Sequence, residues 1–336
     1  MAGMLRFGIL GGSRFALRRM LPAMRMVPDV EVAAIASRDG ARAVELARAQ
    51  GIAKSYASYE ALIADPDIDA VYIPLPNHLH VPWSERAAEA GKHVLCEKPI
   101  ATTAAEARRL IAARDRAGVV ICEAAMVRVQ PRWHAARELL RAEQIGDLRA
   151  FIGTFGYTLS DPNDIRYEPT MGGGVLYDTG FYPVTMSRFC FEAEPVAVLA
   201  RAVLSDHDGV DVLSSALLEF PRGQATLTCG MELGPTQRAL LLGTKGNLDI
   251  PIAWTPPSDR PSELTLETSP ALERPNAERR TFDAVDQYAV LVAAFARAAT
   301  GGGPSPVPLE DSTKNTAVLE ALIRSTTSGR WETPEI

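Results

Sequence analysis

Residues 4–16 read MLRFGILGGSRFA, and the fold follows from how this stretch is parsed. An apolar, strand-like run stops at two glycines and a serine, and a helical pattern over 15–26 begins directly behind them. A strand that turns through small residues into a helix leaves unpaired N–H groups and the positive end of a helix dipole facing the turn, where an anion can sit. Gly11, Gly12 and Ala16 allow backbone to approach a pyrophosphate, although Ser13 stands where the G-x-G-x-x-G spacing asks for its middle glycine. Taken alone the loop could be an ordinary tight turn. Its place at the first strand-to-helix turn of a repeating pattern favours a dinucleotide instead.

The same grammar repeats outward from it. VEVAAIAS (30–37) precedes a helical pattern over 41–50, AVYIPLP (70–76) one over 83–90, and HVLC (93–96) one over 104–117, before VVICEAA (119–125). Continuous apolar strands alternating with helices predict a parallel sheet covered on both faces, a doubly wound α/β domain. After residue 124 the pattern changes. A helix over 131–142 leads into LRAFIGTFGYTL (148–159), a polar loop, three glycines (172–174) and a helix over 175–190. Four strand-like runs follow with no helix between them: PVAVLARAVL, DVLSSALLEF, GQATLTCGMEL and QRALLLGTKGNLDI. Short Gly/Pro turns between consecutive strands predict a mostly antiparallel sheet. A Pro-rich loop (255–261), the linker TGGGPSPVP and a helix over 311–327 complete the chain. The expected organisation is therefore a dinucleotide-binding domain over 1–124 and an α+β domain over 125–336 for substrate binding and oligomerisation, built on a large open sheet.

Composition excludes several classes. At 336 residues, with 47% hydrophobic and 23% charged content, the chain exceeds what one core usually serves. A net charge of -6 without a basic stripe argues against a nucleic-acid surface. Cys96, Cys122, Cys190 and Cys229 form no CxxC pair and mostly sit in apolar runs, as reduced thiols of a cytoplasmic protein would. The N-terminal apolar run is too short for a secretory signal, and no run has the length that spans a bilayer.

Further candidates lie at the ends of the strand-like runs. VEVAAIAS ends in Ser37 and Arg38, a hydroxyl and a guanidinium suited to a ribose 2′-phosphate, where an acid would hold the free hydroxyl of NAD. This favours NADP; the competing reading makes Ser37 or Asp39 a helix cap and Arg38 a surface charge, and Asp39 leaves room for NAD. In YIPLPNHLH the prolines, Asn77 and His80 read as a cofactor-side loop. His78-x-His80 as a metal pair has no third ligand nearby in sequence, so no metal is expected. HVLC runs into Glu97, Lys98 and Pro99, at the strand edge where doubly wound sheets bind ligands. Lys98 stands out because five of the 35 basic residues are lysines, and an ammonium can pass a proton where a guanidinium cannot. In GGGVLYDTGFYPV, Asp178 and Tyr182 are four apart, which places them on one face of an α-helix. Ammonium, phenol and carboxylate are together the parts needed to move a proton onto a carbonyl oxygen.

Taken in order, GILGGSRFA, IASRD, YIPLPNHLH, GKHVLCEKP, IGDLRAF, DIRY and GGGVLYDTGFYP resemble the glucose-fructose oxidoreductase / inositol dehydrogenase (Gfo/Idh/MocA) family over nearly the whole chain. The resemblance implies a Rossmann domain, a C-terminal domain whose open sheet serves as a dimer or tetramer face, and Lys98 as the catalytic lysine with Asp178 and Tyr182 on the substrate-facing helix. It also implies cofactor contacts from Gly11, Gly12, Ser13, Arg14, Phe15, Ser37, Arg38, Pro74, Leu75, Asn77, His80, Glu97 and Lys98, and substrate contacts from Arg166, Tyr167, Asp178 and Tyr182. Two departures are Ser13 for a glycine and Tyr182 where many members carry histidine. Tyrosine there is similar to NDP-hexose 3-ketoreductases, dihydrodiol dehydrogenases and NADP-linked aldose dehydrogenases. The implied activity is NADP(H)-dependent interconversion of hydroxyl and carbonyl on a sugar or sugar nucleotide. Two alternatives use the same fold. A redox-neutral glycosidase holding NAD is opposed by Ser37 and Arg38, and a non-catalytic sensor would need neither Lys98 nor Tyr182.

Overall fold

The computed structural model describes residues 4–206, 209–271, 273 and 277–336. By packing they form two compact units, Met1–Met126 with Asp286–Thr313, and Val127–Val285 with Lys314–Ile336. The partition at 124/125 expected from sequence concerns function, the units concern packing, and they differ at residues 125–126 and in the segment Asp286–Thr313.

The first unit is built on a six-stranded parallel sheet in the order β3-β2-β1-β4-β5-β6. Its strands are β1 (Leu5–Leu10), β2 (Val30–Ala36), β3 (Lys54–Tyr56), β4 (Ala70–Ile73), β5 (His93–Cys96) and β6 (Ile121–Glu123). Helices α1 (Leu21–Arg25), α2 (Gly40–Gln50), α3 (Tyr59–Ile63), α4 (His80–Glu89) and α5 (Ala104–Ala117) connect them. All four residues of β4 are buried, as a strand covered on both faces requires. Helix α5 starts in a capping box between Thr103 and Glu106 and stops at Gly118, whose φ of 66° suits a residue without Cβ. Three features correct the sequence reading. β3 and α3 do not show in its alternation, and residues 16–20 form a π turn before α1 where one continuous helix over 15–26 is predicted. A helix that was not anticipated, α8 (Gln287–Ala299 in the chain's later part), packs on the first sheet, with Phe295 5.6 Å from Phe7 between ring centres.

The second unit is an eight-stranded sheet in the order β14-β13-β12-β11-β7-β10-β9-β8. It comprises β7 (Leu148–Thr158), β8 (Ala197–Leu204), β9 (Asp211–Phe220), β10 (Gly223–Gly230), β11 (Glu232–Gly243), β12 (Asn247–Pro251), β13 (Ser262–Glu267) and β14 (Glu278–Phe282). Every pair is antiparallel except β7 with β10. β13 and β14 add to the four strand-like runs that the sequence announces. Helices α6 (Pro131–Arg141) and α7 (Phe181–Phe191) belong to this unit, and α9 (Leu309–Ser328) runs on into it. On β7, Phe151 and Phe155 are buried and Ile152 exposed, the period-two alternation of a sheet with one covered face. Trp133 of α6 stacks on Trp254 at 5.6 Å and 12° and lies 6.4 Å from Phe151. The four cysteines are free and buried. Among the described residues no helix is long and apolar enough to cross a membrane.

Candidate active site

In the first unit, parallel topology brings the loops after β1, β4 and β5 to one edge of the sheet. Gly11 adopts φ 95° and donates to the Ala36 carbonyl (2.9 Å). A Cβ there would come within 3.1 Å of Leu75 and 3.4 Å of the Tyr59 hydroxyl, and one on Gly12 within 2.5 Å of Leu46. Gly11 therefore needs glycine for its backbone conformation, and a Cβ at Gly12 would press on the Leu46 side chain. Ser13 turns its departure from the glycine pattern into a cap, its hydroxyl accepting from the Ala16 N–H (3.1 Å). Arg14 is exposed, and Phe15 sits edge-on to Tyr288 with ring centres 5.5 Å apart. At the end of β2, Asp39 caps α2 through the Ala41 and Arg42 N–H groups, which occupies the one acid that spoke for NAD. The Ser37 hydroxyl accepts from the Asp39 N–H (3.2 Å), and Arg38 is exposed. Burial pushes the neighbouring Tyr59 phenol up, and the Arg38 guanidinium pulls it the other way.

The loop that carries Lys98 is braced by buried side chains. The Tyr72 phenol donates to Glu97 Oε1 (2.6 Å), the Ile100 N–H donates to Glu123 Oε1 (2.7 Å), and the Lys98–Pro99 peptide is cis. Burial and then the Glu97 charge hold the Tyr72 and Tyr288 phenols well above the ordinary tyrosine range. Both phenols are neutral, and Tyr72 donates to the carboxylate. His80 is fully buried, with Nδ1 2.7 Å from the Pro99 carbonyl and Nε2 2.7 Å from the Leu75 carbonyl. Two carbonyl acceptors favour a doubly protonated ring, whereas burial, the larger influence, and the Lys98 ammonium oppose it and bring its pKa down. His80 thus ties the loop at Pro74, Leu75 and Asn77 to the Lys98 loop from within the wall. Both ring nitrogens are engaged by these carbonyls, so His80 serves the site through the loops it joins.

In the second unit, a π turn over Leu176–Gly180 runs into α7. The same-face argument for Asp178 and Tyr182 assumes α-helical period, and the π turn, with its i→i+5 bonding, breaks that period between them. Both nevertheless meet one face of β7, Asp178 through Tyr157 and Tyr182 through Phe155. Asp178 Oδ2 accepts from the Tyr157 phenol (2.7 Å) and from Arg166 Nε (2.8 Å), and Arg166 Nη1 also donates to Asp164 (3.0 Å). The Asp178 carboxylate raises the Arg166 guanidinium further above its ordinary value, and burial with Asp178 does the same for the Tyr157 phenol. Tyr182, 6% exposed, lies in an aromatic group with Phe155 at 5.3 Å, Phe181 at 5.6 Å and Trp254 at 6.4 Å. The Tyr167 hydroxyl reaches the Leu159 carbonyl (3.4 Å) and Glu232 (3.5 Å).

Sequence reasoning missed Tyr72, Tyr157 and Tyr288. Tyr157 had a signal, an aromatic residue two positions from Phe155 on one strand, hence on its face. Tyr288 had none, because its partner Phe15 lies at the far end of the chain. Among the described residues no group of three or more His, Cys, Asp or Glu is placed to hold a metal.

Residues 5–125 match the GFO_IDH_MocA oxidoreductase family with NAD-binding Rossmann fold, and residues 133–249 the GFO/IDH/MocA C-terminal domain. The chain is 39% identical to a dTDP-3,4-didehydro-2,6-dideoxy-alpha-D-glucose 3-reductase of Streptomyces violaceoruber, over 89% of this chain and 86% of that one. It is 37% identical to D-xylose 1-dehydrogenase (NADP(+)) 2 of Haloferax volcanii, over 97% and 98%. Among solved structures, the 3-ketoreductase KijD10 of Actinomadura kijaniata in complex with NADP and TDP-benzene superposes with a TM-score of 0.88 at 34% identity, covering 96% of this chain and 97% of that one.

Proposed function

This chain belongs to the Gfo/Idh/MocA family of oxidoreductases, and on that premise we propose that it is an NADP(H)-dependent enzyme interconverting a hydroxyl and a carbonyl on a sugar or sugar nucleotide. The observation that carries the reading is the braced loop at the carboxyl end of β5. Tyr72, His80 and Glu123 fix Glu97, Pro99 and Ile100, and so hold Lys98 at the edge where a doubly wound sheet takes its ligand.

The glycine turn suits a dinucleotide by its place after the first strand of a doubly wound sheet, where Gly11 holds the backbone at φ 95°. Gly11, Gly12, Ser13, Arg14 and Phe15 would hold the pyrophosphate side, Ser37 and Arg38 the 2′-phosphate, and Pro74, Leu75, Asn77 and Glu97 the remaining length. NADP(H), when bound, supplies or accepts the hydride. The protein's own residues handle the charge and the proton. In the reductive direction Tyr182 gives its phenolic proton to the carbonyl oxygen, and Lys98 stabilises the negative charge that grows there. Asp178, already bonded to Arg166 and Tyr157, orients sugar hydroxyls together with Arg166 and Tyr167 rather than acting as a free base. KijD10 has also been solved with a lysine and with a tyrosine replaced, and those two residues stand as far apart in its chain as Lys98 and Tyr182 do here. That spacing supports the assignment of the pair.

The test is a turnover screen of NADPH with ketosugars and sugar nucleotides, and of NADP with aldoses, followed by absorbance of the reduced cofactor. Turnover with at least one class is the expected result, and its loss in Tyr182→Phe ties the activity to this site. No turnover across both arms, with cofactor bound, would count against a dissociable oxidoreductase.

A further inference from the structure

The helical run that presents Asp178 and Tyr182 starts without a cap of its own. Val175, which precedes the π turn, makes no side-chain bond to the first N–H groups, and those groups need acceptors. A carboxylate reaches them from the sheet. Asp211, the first residue of β9, accepts at Oδ2 from the Leu176 N–H (2.9 Å) and from the Ser214 hydroxyl (2.8 Å). Its Oδ1 lies where a Cβ on Gly174 would be 2.0 Å away, and Gly174 has φ 103°. The last glycine of the triplet is therefore what lets this carboxylate close on the helix.

We propose that Asp211 is a positioning residue whose ionised carboxylate caps this helical run from β9 and so holds Asp178 and Tyr182 in line with the substrate. The inference rests on the role proposed above for Tyr182. Charge at a helix start is favourable, but here it is held away from water. Burial, the largest influence, pushes the carboxyl up to about 6, against the pull of the Ser214 and Leu176 bonds. The titratable groups packed about this end are Asp178 on the run itself and the Cys229 thiol of β10, which burial keeps protonated. The sign follows directly. The folded carboxyl binds its proton more tightly than an unfolded aspartate, so its ionisation costs folding stability above pH 6 and protonation weakens the cap below it. A cap of purely structural value would show the opposite balance, with stability lost on its removal.

The test uses the full chain with Asp211→Asn and, separately, Gly174→Ala, which crowds the carboxylate without neutralising it. Amide exchange of residues 174–182 is measured by mass spectrometry, NADPH affinity by fluorescence, and kcat and KM across pH 5 to 8. In both variants we expect faster exchange confined to 174–182, unchanged NADPH affinity, and kcat lowered by roughly tenfold or more, since small misplacements of a reacting group are costly. In the parent, kcat falls as pH drops through about 6, and in Asp211→Asn that limb disappears while the melting temperature at pH 7 holds or rises. Unchanged exchange at 174–182 in Asp211→Asn overturns the proposal. So does a kcat and pH profile equal to the parent's. Exchange needs no substrate, so it decides the matter even if every sugar in the screen fails.

Discussion

Tyr182 keeps its ring among Phe155, Phe181 and Trp254, so replacing it by phenylalanine removes the hydroxyl and leaves the packing in place. If that hydroxyl is the proton donor, Tyr182→Phe lowers kcat by about 10² or more with NADPH affinity unchanged. Turnover within a few-fold of the parent would move the proton source elsewhere. Lys98→Arg keeps the charge but is larger and cannot relay a proton, so turnover assays should show it no better than Lys98→Ala. Arg38 supports a separate expectation. It is exposed beside a Ser37 hydroxyl, and Asp39, the acid that could serve NAD, is spent on capping α2. A charge-assisted contact from Arg38 to a 2′-phosphate is worth about 1.5 to 3 kcal/mol, so NADP binds more tightly than NAD and Arg38→Ala shrinks the gap. Equal affinities in the parent, read by fluorescence titration, would overturn this preference.

Three glycines set how closely the π turn and α7 approach their surroundings. A Cβ at 174 meets Asp211, one at 180 comes within 3.3 Å of Cys229 Sγ, and one at 153 comes within 2.6 Å of Pro183 Cβ. Gly153→Ala therefore forces α7 off β7. Overpacking of this kind costs about 1 to 3 kcal/mol, which a shift of the urea midpoint at constant slope would report. A midpoint unchanged from the parent would mean that α7 has slack at this contact. The same element shows what sequence could and could not convey. Its glycines and its DTGFYP motif are local, and so are the Gly11 turn and the CEKP loop, so they are legible in order along the chain. The π turn adds nothing to composition and only displaces the period, so reading 175–190 as one α-helix puts Asp178 and Tyr182 on one face. β3 is three residues long, and β14 carries more charge than apolar residues, so neither repeats a pattern long enough to read. Asp211 and Tyr288 owe their roles to partners in distant segments, which no local window contains, whereas the spacing of Tyr157 from Phe155 gives its face but not its partner Asp178.

Among the described residues, one face of the second unit's sheet carries a row of partly and fully exposed side chains. Across the strands, Leu240 pairs with Ile152, Ile152 with Thr226, Thr226 with Leu217, and Leu217 with Leu199, so side chains of one row stand on one face. Ile152 is 37% exposed in the middle of that row. Beside it Arg238 is matched within the chain by Asp249, and the Ser215 and Thr228 hydroxyls bond to each other, so these polar groups enter an interface already satisfied. An apolar band with paired polar neighbours suits a second copy of itself, because a two-fold contact sets like rows against each other. The expected state is a homodimer or homotetramer joined through this face. Ile152→Asp places an unpaired charge at its centre, where burial without a partner costs several kcal/mol, so the dissociation constant should rise at least about 100-fold. The variant should keep its circular dichroism, because Ile152 points away from the core that Phe151 and Phe155 fill. Sedimentation at micromolar concentration would then give a single 36.3 kDa species for Ile152→Asp and a multiple of it for the parent. A parent that sediments at 36.3 kDa would show that this face is not the one that joins subunits.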